Sequence, residues 1–200
     1  KKMFNKNMVF KKTINDPYKA VDEMVEGIVL AHSDLLKFAN NNKRAVIRKD
    51  APIKDKVGIL IGGGSGHEPA FLGYVGKGLA DAAAIGNVFA SPSPDPIVDA
   101  TKAINSGKGV VYMYGNYAGD IMNFDMAAEM CQMEDITVKT ILVTDDIASA
   151  PLENKSERRG VAGDFYVFKI AGAAADVGME LDDVCRLAEK ANDMTISMGV

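Results

Sequence analysis

The chain has no tryptophan, two cysteines, two histidines and no stripe of positive charge, and each shortage excludes something. Cys131 and Cys185 lie far apart in sequence, so they suit free buried thiols in a reducing cytosol rather than a disulfide framework. With His32 and His67 the only histidines and no close cysteine pair, no zinc-type ligand spacing exists, and no metal is expected. Lysine and arginine are scattered through a chain of net charge −4 and pI near 5.2, so neither nucleic acid nor an anionic membrane is an expected partner. No apolar run approaches the length of a membrane span. Asn5, Lys6 and Asn7 interrupt any apolar leader after Lys1 and Lys2, so the expected location is cytoplasmic.

What is present is an ordinary globular composition, 48% hydrophobic and 25% charged, over 200 residues, enough for one sizeable core. Residues 1–12 read as a loose arm and 13–200 as one domain. Asp16 and Pro17 open a helix that runs at helical spacing to about Leu36, with His32 in a structural or solvent role. Ala45 to Arg48 reads as a short edge strand. Buried strands are expected at 57–61, 110–114 and 138–143, with a small-residue strand or turn at 82–89. Helices are expected at 97–104, 121–133, 165–177 and 181–192, and a further strand after Met194. Met122, Met126, Met130 and Met133 read as core filler. This alternation means an α/β fold, a mostly parallel sheet flanked by helices on both faces.

The chain is organised around ILIGGGSGHEP, residues 59–69. An apolar strand delivers the backbone to Gly62, Gly63, Gly64, Ser65, Gly66 and His67. Glycines there read as a turn that also lets backbone amides approach a ligand closely. No Lys-Ser/Thr follows as in a P-loop, and the G-x-G-x-x-G spacing is absent. A second strand ends in Gly115-Asn116-Tyr117-Ala118-Gly119-Asp120. Parallel strands share one carboxyl edge, so His67 and Asp120 can meet in one crevice, where an imidazole and a carboxylate suit general acid–base work. The plainer reading of Asp120 is a helix N-cap, that of His67 a structural group, and that of Ser91 to Pro96 a surface loop whose serines could also contact phosphate. Arg158-Arg159 reads as a solvated face sooner than an anion site.

GGGSGHEP with GYVGKGLADAA, then FASPSPDP, NYAGD with MNFDMA, and ERRGVAG resemble the K subunit or K domain of dihydroxyacetone kinases, from about Thr13 to the end. The resemblance implies a substrate-binding subunit that presents a small ketose for phosphorylation of its terminal hydroxyl. The backbone of the Gly-rich turn, Gly64, Ser65 and Gly66, would hold substrate oxygens. Asp120 would take the hydroxyl proton, with His67 as hydrogen-bonding partner or alternative base. ATP or ADP with magnesium would sit on a separate helical L-type subunit or domain, and the assembly would contain a homodimer. Two departures stand out. The family anchors the ketone covalently through a later histidine, and no histidine follows His67, so an N-terminal portion is expected. Some members carry a lysine where this chain has Gly115, which would leave room for a tetrulose as well as dihydroxyacetone. A ketose-sensing co-regulator of transcription is the alternative within the family. An unrelated phosphosugar-binding domain is the alternative outside it.

Overall fold

The structure is a computed structural model that describes residues 14–199; the expected arm at 1–12 lies outside the described residues. Asp16 accepts from the Tyr18 amide and caps a single turn, Pro17–Lys19, that leads into α1, Ala20–Ala31. Val21, Val25 and Val29 form its buried stripe. The helix stops five residues before the expected Leu36, with exposed His32 at its C-cap. Leu36 instead begins β1, Leu36–Ala39, which pairs antiparallel with β2, Asn42–Arg48. The apolar spacing past His32 belongs to a strand that turns Leu36 back onto the core. β2 is therefore an interior strand and not the expected edge.

β3 (Gly58–Ser65), β4 (Ala82–Val88), β5 (Val110–Gly115) and β6 (Val138–Val143) complete a six-stranded sheet in the order β1-β2-β4-β3-β5-β6. β3 to β6 run parallel, and the β1–β2 hairpin joins antiparallel at β4. α2 (Pro94–Ile104) and α3 (Ala118–Gln132) cover one face, where Ile97, Phe124 and Cys131 pack with Leu60 and Tyr112. α1, α4 (Asp164–Asp176) and α5 (Leu181–Met194) cover the other, where Val25, Phe168 and Val184 pack with Ile59, Ile61 and Val111. The expected α/β sheet with helices on both faces is what forms. Both cysteines are free and buried. Among the described residues no helix is long and apolar enough to cross a membrane.

Three further expectations need correction. α3 buries Phe124, Ala127 and Cys131, so Met122 and Met126 fall on the opposite side of the helix and are exposed, as is Met133 beyond it. The segment after Met194 forms only an isolated bridge, Ser197 with Asp146, and no strand. Residues 152–157 form a short 3-10 stretch, after which Arg158 is buried and donates to the Ala150 carbonyl while Arg159 pairs with Asp146 at 2.7 Å. Neither arginine is a free anion site.

Candidate functional site

β3 continues through its glycines to Ser65, with a shift in its register on β4 after Gly63, so Gly62, Gly63 and Gly64 are strand, not turn. They are required for close approach. A Cβ on Gly62 would lie 2.6 Å from the Ala84 carbonyl oxygen, one on Gly63 2.2 Å from the Phe71 ring, and one on Gly64 2.7 Å from the Ala90 amide. Only Gly66 adopts a positive φ, 98°, and there the chain leaves the sheet.

The order of strands places the site. The chain goes from β3 to β4 on one side, then returns across β3 to β5 on the other, so the strand order reverses between β3 and β5. Ligands bind outside the carboxyl ends at such a switch. A cavity of about 590 Å³ opens there, lined by Gly63 and Gly64 at the end of β3 with His67 beyond it, Gly115 at the end of β5 with Asp120 beyond it, and Gly160 before α4 with Asp164 at its start. Its size is that of a small-molecule site. Two apolar-lined or polar surface hollows elsewhere do not touch these residues.

Of the expected site residues, the fold brings Gly64, His67, Gly115 and Asp120 to this cavity. Ser65 and Gly66 are not among its lining. The Ser65 side chain is buried and donates to the Gly86 carbonyl at 2.8 Å, tying β3 to β4. The Gly66 amide donates to both Glu68 carboxylate oxygens, at 3.1 and 3.0 Å, so it is already engaged.

Asp120 stands in the first turn of α3, whose N-cap is Tyr117, so the N-cap reading is replaced. One buried Asp120 oxygen has no hydrogen-bond partner. Burial raises its pKa above the ordinary carboxylate value, while the Ser91 hydroxyl and the His67 imidazole oppose that rise by favouring the anion. Ser91 lines the cavity and so comes from the loop at 91–96 to the site, whereas Pro94 begins α2. His67 is exposed, its ring 5.2 Å from that of Phe89. Phe89 holds φ at 53°, a conformation costly for a bulky side chain, and sits at the cavity wall.

The vacancy expected at Gly115 is smaller than its missing side chain implies. A Cβ there would meet the Gly160 carbonyl at 2.9 Å and the Tyr117 ring at 3.0 Å. Sequence reasoning also missed Asp164, Gly160, Tyr117 and Phe71 as cavity residues. ERRGVAG followed by an acid was the available signal, but nothing local joins it to Gly115. Among the described residues, the lining contains carboxyl groups and an imidazole, and no lysine or arginine.

Comparison with known proteins now decides the family: residues 26–200 match the Dak1 domain. The chain belongs to the Dak1 domain family. Its relatives include the dihydroxyacetone-binding subunit DhaK of the PTS-dependent dihydroxyacetone kinase 2 of Listeria innocua, 57% identical over 95% of this chain and 57% of that protein. The L-erythrulose 1-kinase of Mycolicibacterium smegmatis is 46% identical over 94% of this chain and 32% of its own length. Among solved structures, the dihydroxyacetone kinase of C. freundii superposes with a TM-score of 0.82 at 36% identity, covering 90% of this chain and 33% of that one. The dihydroxyacetone kinase operon co-activator DhaQ gives 0.75 at 35%, covering 84% and 51%. The Dak1 chain thus spans little more than half the length of the DhaK subunit it matches.

Proposed function

We propose that residues 13–200 are part of a ketose-binding domain that presents dihydroxyacetone or a tetrulose, as the substrate-binding subunit of a dihydroxyacetone-type kinase, for phosphorylation of its terminal hydroxyl. The observation that carries this reading is the shared cavity of His67 and Asp120 at the switch between β3 and β5. In the reaction the terminal hydroxyl oxygen bonds to the donor's terminal phosphorus, the bridging phosphorus–oxygen bond of the donor breaks, and the hydroxyl proton passes to Asp120. A carboxylate lifted above its ordinary pKa is a stronger base for that proton than an exposed one. His67 hydrogen-bonds the reacting hydroxyl, and the backbone at Gly64 and Gly115 borders the sugar.

The donor, ATP or an ADP rephosphorylated by a phosphotransferase protein, binds with magnesium on a separate helical L-type subunit or domain in this reading. Magnesium there would neutralise the charge that develops on the transferred phosphoryl group. The lining supports that division, because among the described residues it offers a polyphosphate no lysine or arginine to pair with. The same lining weighs against a phosphosugar site. A homodimer and a cytoplasmic location complete the proposal. The likeness to an operon co-activator favours a second reading, a ketose sensor that regulates transcription. The half-buried Asp120 with its unpartnered oxygen favours the kinase, since a sensor needs binding alone.

The test is phosphorylation of dihydroxyacetone and erythrulose by the full-length protein with its donor-binding partner. Asp120→Asn is expected to lower turnover by about 10²–10⁴-fold. Unchanged turnover would remove Asp120 as the base. Ketose binding by the wild type without any turnover would favour the sensor.

A further inference from the structure

Asp164 opens α4 and is 8% exposed, yet its Oδ1 has no hydrogen-bond partner. It lies against the two glycines that shape the β5–β6 side of the cavity. A Cβ on Gly115 would stand 3.3 Å from its Oδ2, and one on Gly160 2.8 Å from its Oδ1. Both positions lack a side chain, so two bare stretches of backbone close directly onto the buried carboxyl at the cavity wall. The nearby donors are already taken. Asp145 accepts from the Val161 and Gly163 amides at 2.9 and 2.8 Å and from the Ser197 hydroxyl. No lysine or arginine pairs with Asp164 among the described residues.

Burial in this setting favours the neutral form of the carboxyl. Burial, then the charges of Asp145 and Asp120, hold its pKa well above the ordinary carboxylate value. A neutral carboxyl carries an O–H donor as well as acceptor oxygens. Left unmatched, such a group costs stability, and the wall of an open cavity is where a ligand can match it.

We propose that Asp164 is a substrate-binding and specificity-determining residue, whose carboxyl donates a hydrogen bond to the ketose oxygen farthest from the reacting hydroxyl. The proposal rests on the ketose reading of the cavity. The reacting hydroxyl lies with His67 and Asp120, so the opposite arm of the sugar extends past Gly115 toward Gly160. A tetrulose has one carbon and one hydroxyl more on that arm than dihydroxyacetone. The cavity, at about 590 Å³, has space for it. Asp164 therefore selects the longer sugar.

Calorimetric titration of the full-length protein with erythrulose and with dihydroxyacetone tests this. Asp164→Leu is expected to weaken erythrulose binding about tenfold and dihydroxyacetone binding less than about twofold. Asp164→Asn, whose carboxamide still donates, is expected to keep erythrulose binding within about threefold of wild type. Infrared difference spectra give a readout that needs no altered fold. The wild-type band of a protonated carboxylic acid should shift on adding erythrulose and be missing from Asp164→Asn. Equal losses for both sugars, an Asn variant as weak as Leu, or a band that ignores erythrulose would overturn the assignment. If wild type binds both sugars and Asp164→Leu matches it, this inference alone fails. If wild type binds neither, the ketose reading fails with it.

Discussion

Gly62→Ala adds one methyl group where the sheet has no room for it. The new carbon would stand 2.6 Å from the Ala84 carbonyl oxygen and 2.9 Å from the tip of the Phe124 ring. Ala84 is the register partner of Gly62 on β4, so its carbonyl moves only if two parallel strands separate. Phe124 is fully buried, stacked on Tyr114 with ring centroids 4.2 Å apart, so it yields only if α3 lifts. Overfilling a packed core of this kind costs about 1–3 kcal/mol. For a chain of this size that lowers the melting temperature by about 2–12 °C. Gly63→Ala points to the other face and meets only the half-buried Phe71 ring, which can swing toward the cavity. It should cost less stability and more ligand affinity. Gly27→Ala, inside α1 with no atom within 4 Å of its new carbon, is the control and should gain about 0.5–1 kcal/mol. Thermal unfolding followed by circular dichroism, with ketose titration beside it, separates the three. A Gly62→Ala protein that melts with wild type would refute the packing account of the glycines.

Ser65→Ala removes a buried hydroxyl whose hydrogen bond goes to the Gly86 carbonyl, so it should lose about 1 kcal/mol of stability with ketose affinity unchanged; a large affinity loss in titration would return Ser65 to the site. Asp164→Asn should change the pH dependence of stability. The folded pKa of Asp164 is raised, so its neutral form carries a contribution that is complete below the unfolded value of about 3.9 and lost as pH rises through the folded value. The variant should match wild type near pH 4 and become the more stable protein toward neutral pH and above, in melting curves taken across that range. Parallel curves would mean that Asp164 ionises freely.

Local pattern carried much of the architecture. Three of the four parallel strands and the helices between them follow from apolar runs bounded by glycine and proline, which act over a few residues, while 82–89 read equally as strand or turn. Asp16 and Pro17 marked a helix start correctly because a cap is a local contact. The β1–β2 hairpin was not legible, since Leu36 to Ala39 pairs with a strand and packs against helices that no local window includes. Met122 and Met126 of α3 misled for a related reason, while Met130 does pack against the core: their spacing defines a face of the helix but not which face meets the sheet.

The sequence by itself determined the family, the sheet class and the two strand ends that carry His67 and Asp120, because each is a property of consecutive residues. Tertiary structure alone decided what the glycines are for, that Ser65 and Gly66 are engaged elsewhere, and that Asp164 lies beside Gly115 from 49 positions along the chain. Those facts depend on which strands become neighbours at the switch between β3 and β5. Strand order is set by packing across the whole sheet, and no short stretch of residues encodes it.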